Sequence, residues 1–348
     1  MAGAGRRVGL RPKQGGVIRG GRSTWTTLVI AGIAALGVIQ FYRPPHPAPT
    51  RPFAKLPLTA DASLNAFGAS HAVRLSFTLP GEGIEFPLEV SGDPAALTYE
   101  WVSIHDSVAV EPGRPLGGPT FIAPAKPGFY RLALRRGLDR EIIPEPTVAV
   151  MVPFDQKMGS KLNGYRIGTY VAERFAEHDH PAGFLEVQPG DSDLMVSAHL
   201  KLGEFITHDS QTDVWPKYVA LNPRLLDKLE LVLAKVGVGA HLAVAGDSAP
   251  DVAFDVHSGF RTPTHNRAVP RAASDSRHEY GDAADVAIDA DGDGRVTLKD
   301  EVLVARAVDQ VEDEHPDLVG GLGLYVSHLY RTPYVHIDAR GTRSRWKG

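Results

Sequence analysis

Ser276-Arg277-His278-Glu279-Tyr280-Gly281-Asp282-Ala283-Ala284-Asp285 fits the pattern S-x-H-x-x-G-x-A-x-D, and Tyr334-Val335-His336-Ile337-Asp338 brings a second histidine far downstream. Two imidazoles and one carboxylate are the donor set that a catalytic zinc takes when it keeps a fourth position open. The seven-residue separation lets His278 lie in a turn while Asp285 opens the strand Ala284-Asp285-Val286-Ala287-Ile288. Alternation along the downstream segment puts Val335 and Ile337 on one side and His336 and Asp338 on the other. A neighbouring strand can therefore bring the third ligand to the same metal. The expected zinc ligands are His278, Asp285 and His336. The chain has no cysteine, which excludes thiolate ligands, thiolate catalysis and disulfides.

A second metal signal follows at once. Asp289-Ala290-Asp291-Gly292-Asp293-Gly294-Arg295-Val296-Thr297-Leu298-Lys299-Asp300 places acids at loop positions 1, 3, 5 and 12, glycine at 6 and an apolar residue at 8. That is the spacing of an EF-hand calcium loop. The expected calcium ligands are Asp289, Asp291, Asp293, Arg295 and Asp300, position 7 acting through its backbone carbonyl. Aspartate at the last position, as in dockerin-like loops, shortens the reach for bidentate ligation; a solvated acidic turn is the plainer alternative. Glu301 to Val311 reads as the exiting helix, and the loop lies where it can brace the strand of Asp285.

Upstream of the motif the texture is helical from about residue 196. Asn222 suits an N-cap and Pro223 the first helical position. Leu225, Leu226, Leu229, Val232, Leu233 and Val236 then fall on one face, and the helix should end at Gly237. His241-Leu242-Ala243-Val244-Ala245-Gly246 is a strand candidate.

Ser258-Gly259-Phe260-Arg261-Thr262-Pro263-Thr264-His265-Asn266, the Ser276–Asp285 motif, Gly321-Leu322-Gly323-Leu324-Tyr325 and Tyr334-Val335-His336-Ile337-Asp338-Ala339-Arg340 occur in that order. Together they resemble the peptidase M15 family, the zinc D,D-carboxypeptidases and related peptidoglycan endopeptidases, over residues 196–348. The resemblance implies an α+β domain of the hedgehog/D-Ala-D-Ala-peptidase type with His278, Asp285 and His336 as zinc ligands. It implies Arg261 as the group that binds a substrate carboxylate, a duty its bidentate fork suits, and Ser276 as a hydroxyl lining the site. The implied activity is hydrolysis of a peptide bond in the stem or cross-link peptides of peptidoglycan, as carboxypeptidase or endopeptidase, in cell wall remodelling. Many members carry a glutamate or aspartate three residues before the last histidine as general base. Here that position is Pro333, which cannot accept a proton. Asp338 shares the strand face of His336 and is the expected substitute, the alternative being a carboxylate that orients a ligand. His328, His265 and Glu279 are further candidates. A catalytically inactive peptidoglycan-binding or envelope scaffold protein is the rival that Pro333 favours, and a calcium-dependent adhesion module is a third reading.

The rest of the chain sets the context. Residues 57–153 alternate in short runs between Gly/Pro turns, as in Phe129-Tyr130-Arg131-Leu132-Ala133-Leu134, where Tyr130, Leu132 and Leu134 share a face. This predicts a small all-β sandwich, immunoglobulin-like at most in architecture, with no catalytic constellation and a surface free to dock an envelope protein. Residues 154–195 read as further strands connecting to the last domain. The segment 1–23 holds six basic residues and no acid, and Trp25 to Tyr42 carries no charge. About 18 apolar residues reach roughly 27 Å, close to the hydrocarbon thickness of a bilayer. Residues 24–42 are therefore expected to be a single-pass anchor in the bacterial inner membrane, a cleaved signal with a long basic leader or a buried core helix being the alternatives. The basic segment 1–23 stays cytoplasmic and everything beyond lies in the periplasm or outside, after a Pro-rich linker over 43–56. A length of 348 residues exceeds what one core serves. The formal net charge of -4, with basic residues gathered at the N-terminus, gives no pull toward nucleic acid.

Overall fold

Along the strand Gly128–Arg136, Tyr130, Leu132 and Leu134 enter one core while Phe129 enters another. The same division splits Thr147–Val150, where Val148 and Val150 join the first core and Ala149 the second. Both faces of this sheet are thus buried at its centre. The computed structural model describes residues 52, 54–56, 60–118, 120–237, 254–326 and 332–348. The expected membrane anchor, its basic flank, most of the Pro-rich linker, the segment His241–Gly246 and His328 lie outside the described residues. Among the described residues no helix is long and apolar enough to cross a membrane.

The first sheet runs in the order Leu75–Thr78, Thr147–Val150, Gly128–Arg136, Thr98–Ser103, Arg114–Pro115, with Asp139–Ile142 paired to Gly128–Arg136. Its first two strands are parallel and its other pairs antiparallel. Two ribbons, Gly83–Glu85 with Thr120–Ile122 and Ala54–Lys55 with Glu89–Val90, add Ile84, Phe121 and Ala54 to the first core. Trp101 anchors that core: its indole N–H donates to the Ile122 carbonyl at 2.7 Å, and Phe86, Tyr99 and Phe121 meet it edge-on.

The segment 154–195, expected to hold further strands, contributes Gly183–Val187 to a three-stranded sheet with Val152–Pro153 and Lys217–Val219. Phe184, Leu185 and Val187 go into the second core. Helix α1, Pro223–Lys235, begins where Asn222 accepts a hydrogen bond from the Arg224 N–H. It buries Leu225, Leu226, Leu229, Val232 and Leu233, and Gly237 follows with φ 90. The second large sheet has strands β1 (Phe254–Ser258), β2 (Ala283–Ile288), β3 (Gly321–Tyr325), β4 (Tyr334–Asp338) and β5 (Ser344–Lys347), in the order β1-β2-β4-β3-β5. Helix α2, Leu298–Glu314, starts three residues before and ends three after the stretch expected, because Thr297 and Asp300 form a capping box at its start. Val304, Ala307, Val308 and Val311 of α2 pack into the core shared with α1 and the sheet. Between the two helices Lys228 and Glu312, both wholly buried, pair at 2.7 Å. Pro52–Gly348 is one compact unit.

Candidate metal centre

One transverse row of the second sheet builds the site. In register, Ser258 of β1 stands beside Asp285 of β2, Asp285 beside His336 of β4, His336 beside Gly323 of β3, and Gly323 beside Trp346 of β5. Their neighbours Ala284, Val286, Val335, Ile337 and Leu322 point to the opposite face, into the core. A bulge between Val256 and Ser258 brings Ser258 level with Asp285. His278 comes from outside the sheet, on the 3-10 turn Arg277–Tyr280 that leads into β2. Gly281 closes that turn with φ 72, and a side chain there would run into the backbone of Ala220.

The donor atoms converge. His336 Nδ1 is 2.9 Å from Asp285 Oδ1, His278 Nε2 is 3.2 Å from the same oxygen, and the two ring nitrogens are 3.1 Å apart. All three residues are buried. The outward nitrogens are already committed: His278 Nδ1 meets the Gly259 carbonyl at 2.7 Å and His336 Nε2 meets Asp338 Oδ2 at 3.2 Å. A carbonyl and a carboxylate only accept, so each imidazole donates from its outer nitrogen and leaves the inner one to face its partners, where it can offer a lone pair to a metal. Two inner ring nitrogens and a carboxylate oxygen so placed form a group that could hold a metal ion. A tetrahedral zinc held at about 2.0–2.1 Å sets its ligand atoms roughly 3.3–3.4 Å apart, so the triangle here is about 0.3 Å tight, which small side-chain torsions absorb. The residues present fit a zinc ion.

Electrostatics follow from the same contacts. Burial alone would raise the Asp285 carboxyl, yet the two imidazoles hold it far below the usual carboxylate range. Burial pushes His278 down, against the pull of Asp285. Burial also opposes charge on His336, but its hydrogen bonds to Asp285 and Asp338 win and raise it.

A cleft of about 810 Å³ opens over the row, lined by Arg261, Ser276, Asp275, Tyr334, Trp346 and by His278, Asp285 and His336, among others. Ser276 thus stands where the sequence suggested. Arg261 is there too, but its Nε donates to Ser258 Oγ at 2.7 Å and its guanidinium pairs with the outer oxygen of Asp285. It bridges Ser258 and Asp285 across the row.

Asp338 requires a correction. Its carboxylate is wholly buried, does not line the cleft, and accepts from Gly321 N at 2.7 Å, Arg340 Nε at 2.9 Å and His336 Nε2. Burial favours its protonation, but His336, Arg340 and Gly321 together hold it far below the usual range. Two residues along the strand from His336 and behind the ring, the carboxylate faces the outer nitrogen of His336 and not the cleft. Glu279 and His265 are also absent from the lining. Glu279 is buried against Asn266, whose Nδ2 donates to it at 2.6 Å. Asp275 is the one carboxylate besides Asp285 among the described residues lining the cleft, and Tyr280 Oη donates to it. Gly259, Ser258, Arg340 and Trp346 escaped the sequence reading. Gly259 acts through a backbone carbonyl, which leaves no trace in residue type; Trp346 was signalled only by lying on a strand that pairs beside GLGLY.

In the acidic loop, Asp289, Asp291 and Asp293 offer oxygens within 4.8 Å of one another. Asp289 also accepts from Asp293 N at 3.1 Å and Gly294 N at 2.7 Å, and Gly294 has φ 85. Asp300 is not in that group: it accepts from Asp291 N and Thr297 N, closing the loop and capping α2. Arg295 N donates to Asp293 Oδ1 at 2.9 Å. No protein-family model matches this chain, and no curated protein matches it in sequence.

Proposed function

We propose that this chain is a zinc metallopeptidase, anchored in the bacterial inner membrane by residues 24–42 and acting outside the cytoplasm on peptide bonds in the stem or cross-link peptides of peptidoglycan. The observation that carries the reading is the convergence of His278 Nε2, His336 Nδ1 and Asp285 Oδ1 to 2.9–3.2 Å with both outer ring nitrogens already bonded. Zinc held there supplies Lewis acidity for a scissile carbonyl and for water at a position left open by three protein ligands. The protein's own residues do the rest. Gly259 and Asp338 fix the two tautomers, Arg261 holds Asp285 and offers positive charge on the cleft side, and Ser276 presents a hydroxyl to the same space. Calcium in the loop Asp289–Asp300 belongs to the proposal as a brace between β2 and α2. The substrate rests on the resemblance of residues 196–348 to the M15 family.

Incubation with purified peptidoglycan, with and without a zinc chelator, and mass spectrometry of the released peptides tests this. Chelator-sensitive release of stem-peptide fragments is expected; the absence of any zinc-dependent product would sink the enzyme. Pro333 and the buried carboxylate of Asp338 leave the expected base positions empty, and this favours a second reading: a metal-organised pocket that binds peptidoglycan peptide without cutting it. That reading predicts zinc-dependent retention on peptidoglycan with no product.

A further inference from the structure

The row across the sheet runs on past the metal ligands, and its last two members, Gly323 and Trp346, have no part in the chemistry above. Gly323 stands in register between His336 and Trp346. Its bare Cα leaves a hollow in the sheet face; a Cβ there would lie 2.5 Å from Cε2 and Nε1 of the indole. The indole leans across this hollow until its ring centre is 5.1 Å from that of His336, at 49°. It is held in place on other sides. Its Nε1 donates to Tyr325 Oη at 2.9 Å, and Tyr325 stacks on Tyr334 with ring centres 4.8 Å apart and 6° between planes. The guanidinium of Arg340, which also grips Asp338, sits 5.7 Å from the indole centre.

His336 needs such a wall. Its nitrogens meet Asp338 at 3.2 Å and Asp285 at 2.9 Å, both near the ring plane, and these contacts leave the ring faces to be held by packing. His278 meets it edge-on from the metal side, ring centres 4.9 Å apart, which leaves another side for Trp346 to cover. An indole packed against the imidazole limits the tilt of that ring.

We propose that Trp346, seated in the hollow left by Gly323, is a positioning residue of the metal centre that holds the His336 imidazole with Nδ1 toward Asp285 and His278. The proposal rests on the metal-centre reading and on nothing about the substrate. Zinc affinity of the full chain, by competition with a chromophoric chelator, and the visible absorption of its cobalt form test it. Trp346→Ala should lose about ten- to a hundredfold in zinc affinity, as loss of partners around a ligand does, and shift the cobalt bands. Trp346→Phe should recover most of both. Gly323→Ala, which pushes the indole out, should lose a similar amount, and adding Trp346→Ala to it should cost little more, since the two act through one contact. Trp346 lies on an edge strand and is only half-buried, so circular dichroism should show an intact fold. Wild-type affinity with an unchanged cobalt spectrum in Trp346→Ala overturns the proposal; should that variant not fold, wild-type affinity in Gly323→Ala does so. A native chain that binds no zinc overturns the metal centre and this proposal together, so the two failures are told apart.

Discussion

Replacing Asp338 by asparagine separates two roles a carboxylate can play beside a metal-binding histidine. In the native arrangement Oδ1 accepts from Gly321 N at 2.7 Å and from Arg340, while Oδ2 faces His336 Nε2 at 3.2 Å and Arg340. An asparagine that keeps its oxygen on Gly321 turns its NH2 toward two donors. The imidazole then relieves the clash by moving its proton from Nε2 to Nδ1, the nitrogen that must face the metal, and binding has to displace that proton. Loss of such a partner typically costs about 10–100-fold in metal affinity, which is about 1.4–2.7 kcal/mol. Zinc competition with a chromophoric chelator at neutral pH measures it directly, and peptidase turnover at saturating zinc measures what is left. Asp338→Asn is expected to weaken zinc binding by that factor and to regain much of its turnover when zinc is raised. If it instead holds zinc as the native chain does while turnover disappears, Asp338 is the base after all and the reasoning from its burial is wrong.

Lys228→Met should lower unfolding free energy by about 3 kcal/mol in urea, the lower end for breaking a buried ion pair, because Glu312 keeps Arg345 and the Gly320 N–H; a loss below about 1 kcal/mol would refute the account. Burial raises Glu279 from 4.5 to about 7, so the stability it contributes is complete below 4.5, fades as pH rises and is gone above about 7. Glu279→Gln, which still accepts from Asn266, should therefore melt above the native chain at pH 8 and level with it near pH 4; equal melting at pH 8 counts against the buried acid. Calcium at a hundredfold excess over its dissociation constant should stabilise the native chain by about 2.7 kcal/mol and leave Asp289→Ala unmoved, whereas a merely solvated loop would respond in neither.

Much of the site was legible because it is made of residue types with few other uses. His278, Asp285 and His336 were assigned together from motif order, and they meet within one triangle. Helix α1 was readable because an Asn-Pro start and a spaced leucine face leave little choice. For Asp338 the sequence left two roles open, a base or a carboxylate that orients a ligand. Alternation told which side of β4 it shares with His336, but two residues along a strand is about 6.6–6.8 Å, enough to carry the carboxylate from the cleft to a place beneath Gly321. Over 154–195 the sequence suggested strands but not their partners: strand Gly183–Val187 pairs with Lys217–Val219, and pairing across such distance leaves no local pattern. The bulge at Val256 and Ser258 likewise depends on what β2 demands, not on β1 alone.

The transverse row has an evolutionary consequence. Each strand in it contributes a single residue, and neighbouring strands hold those residues level by backbone hydrogen bonds. The geometry at the centre is therefore indifferent to how much chain joins one strand to the next. Between Asp285 and His336 the polypeptide makes room for an acidic loop, a 17-residue helix and a further strand, and returns to the same 2.9 Å. Insertions, deletions or whole exchanged modules between β2 and β4 can be tried by natural variation or by design without redrawing the centre they flank, whereas the β1–β2 connection carries His278 and is not free in this way.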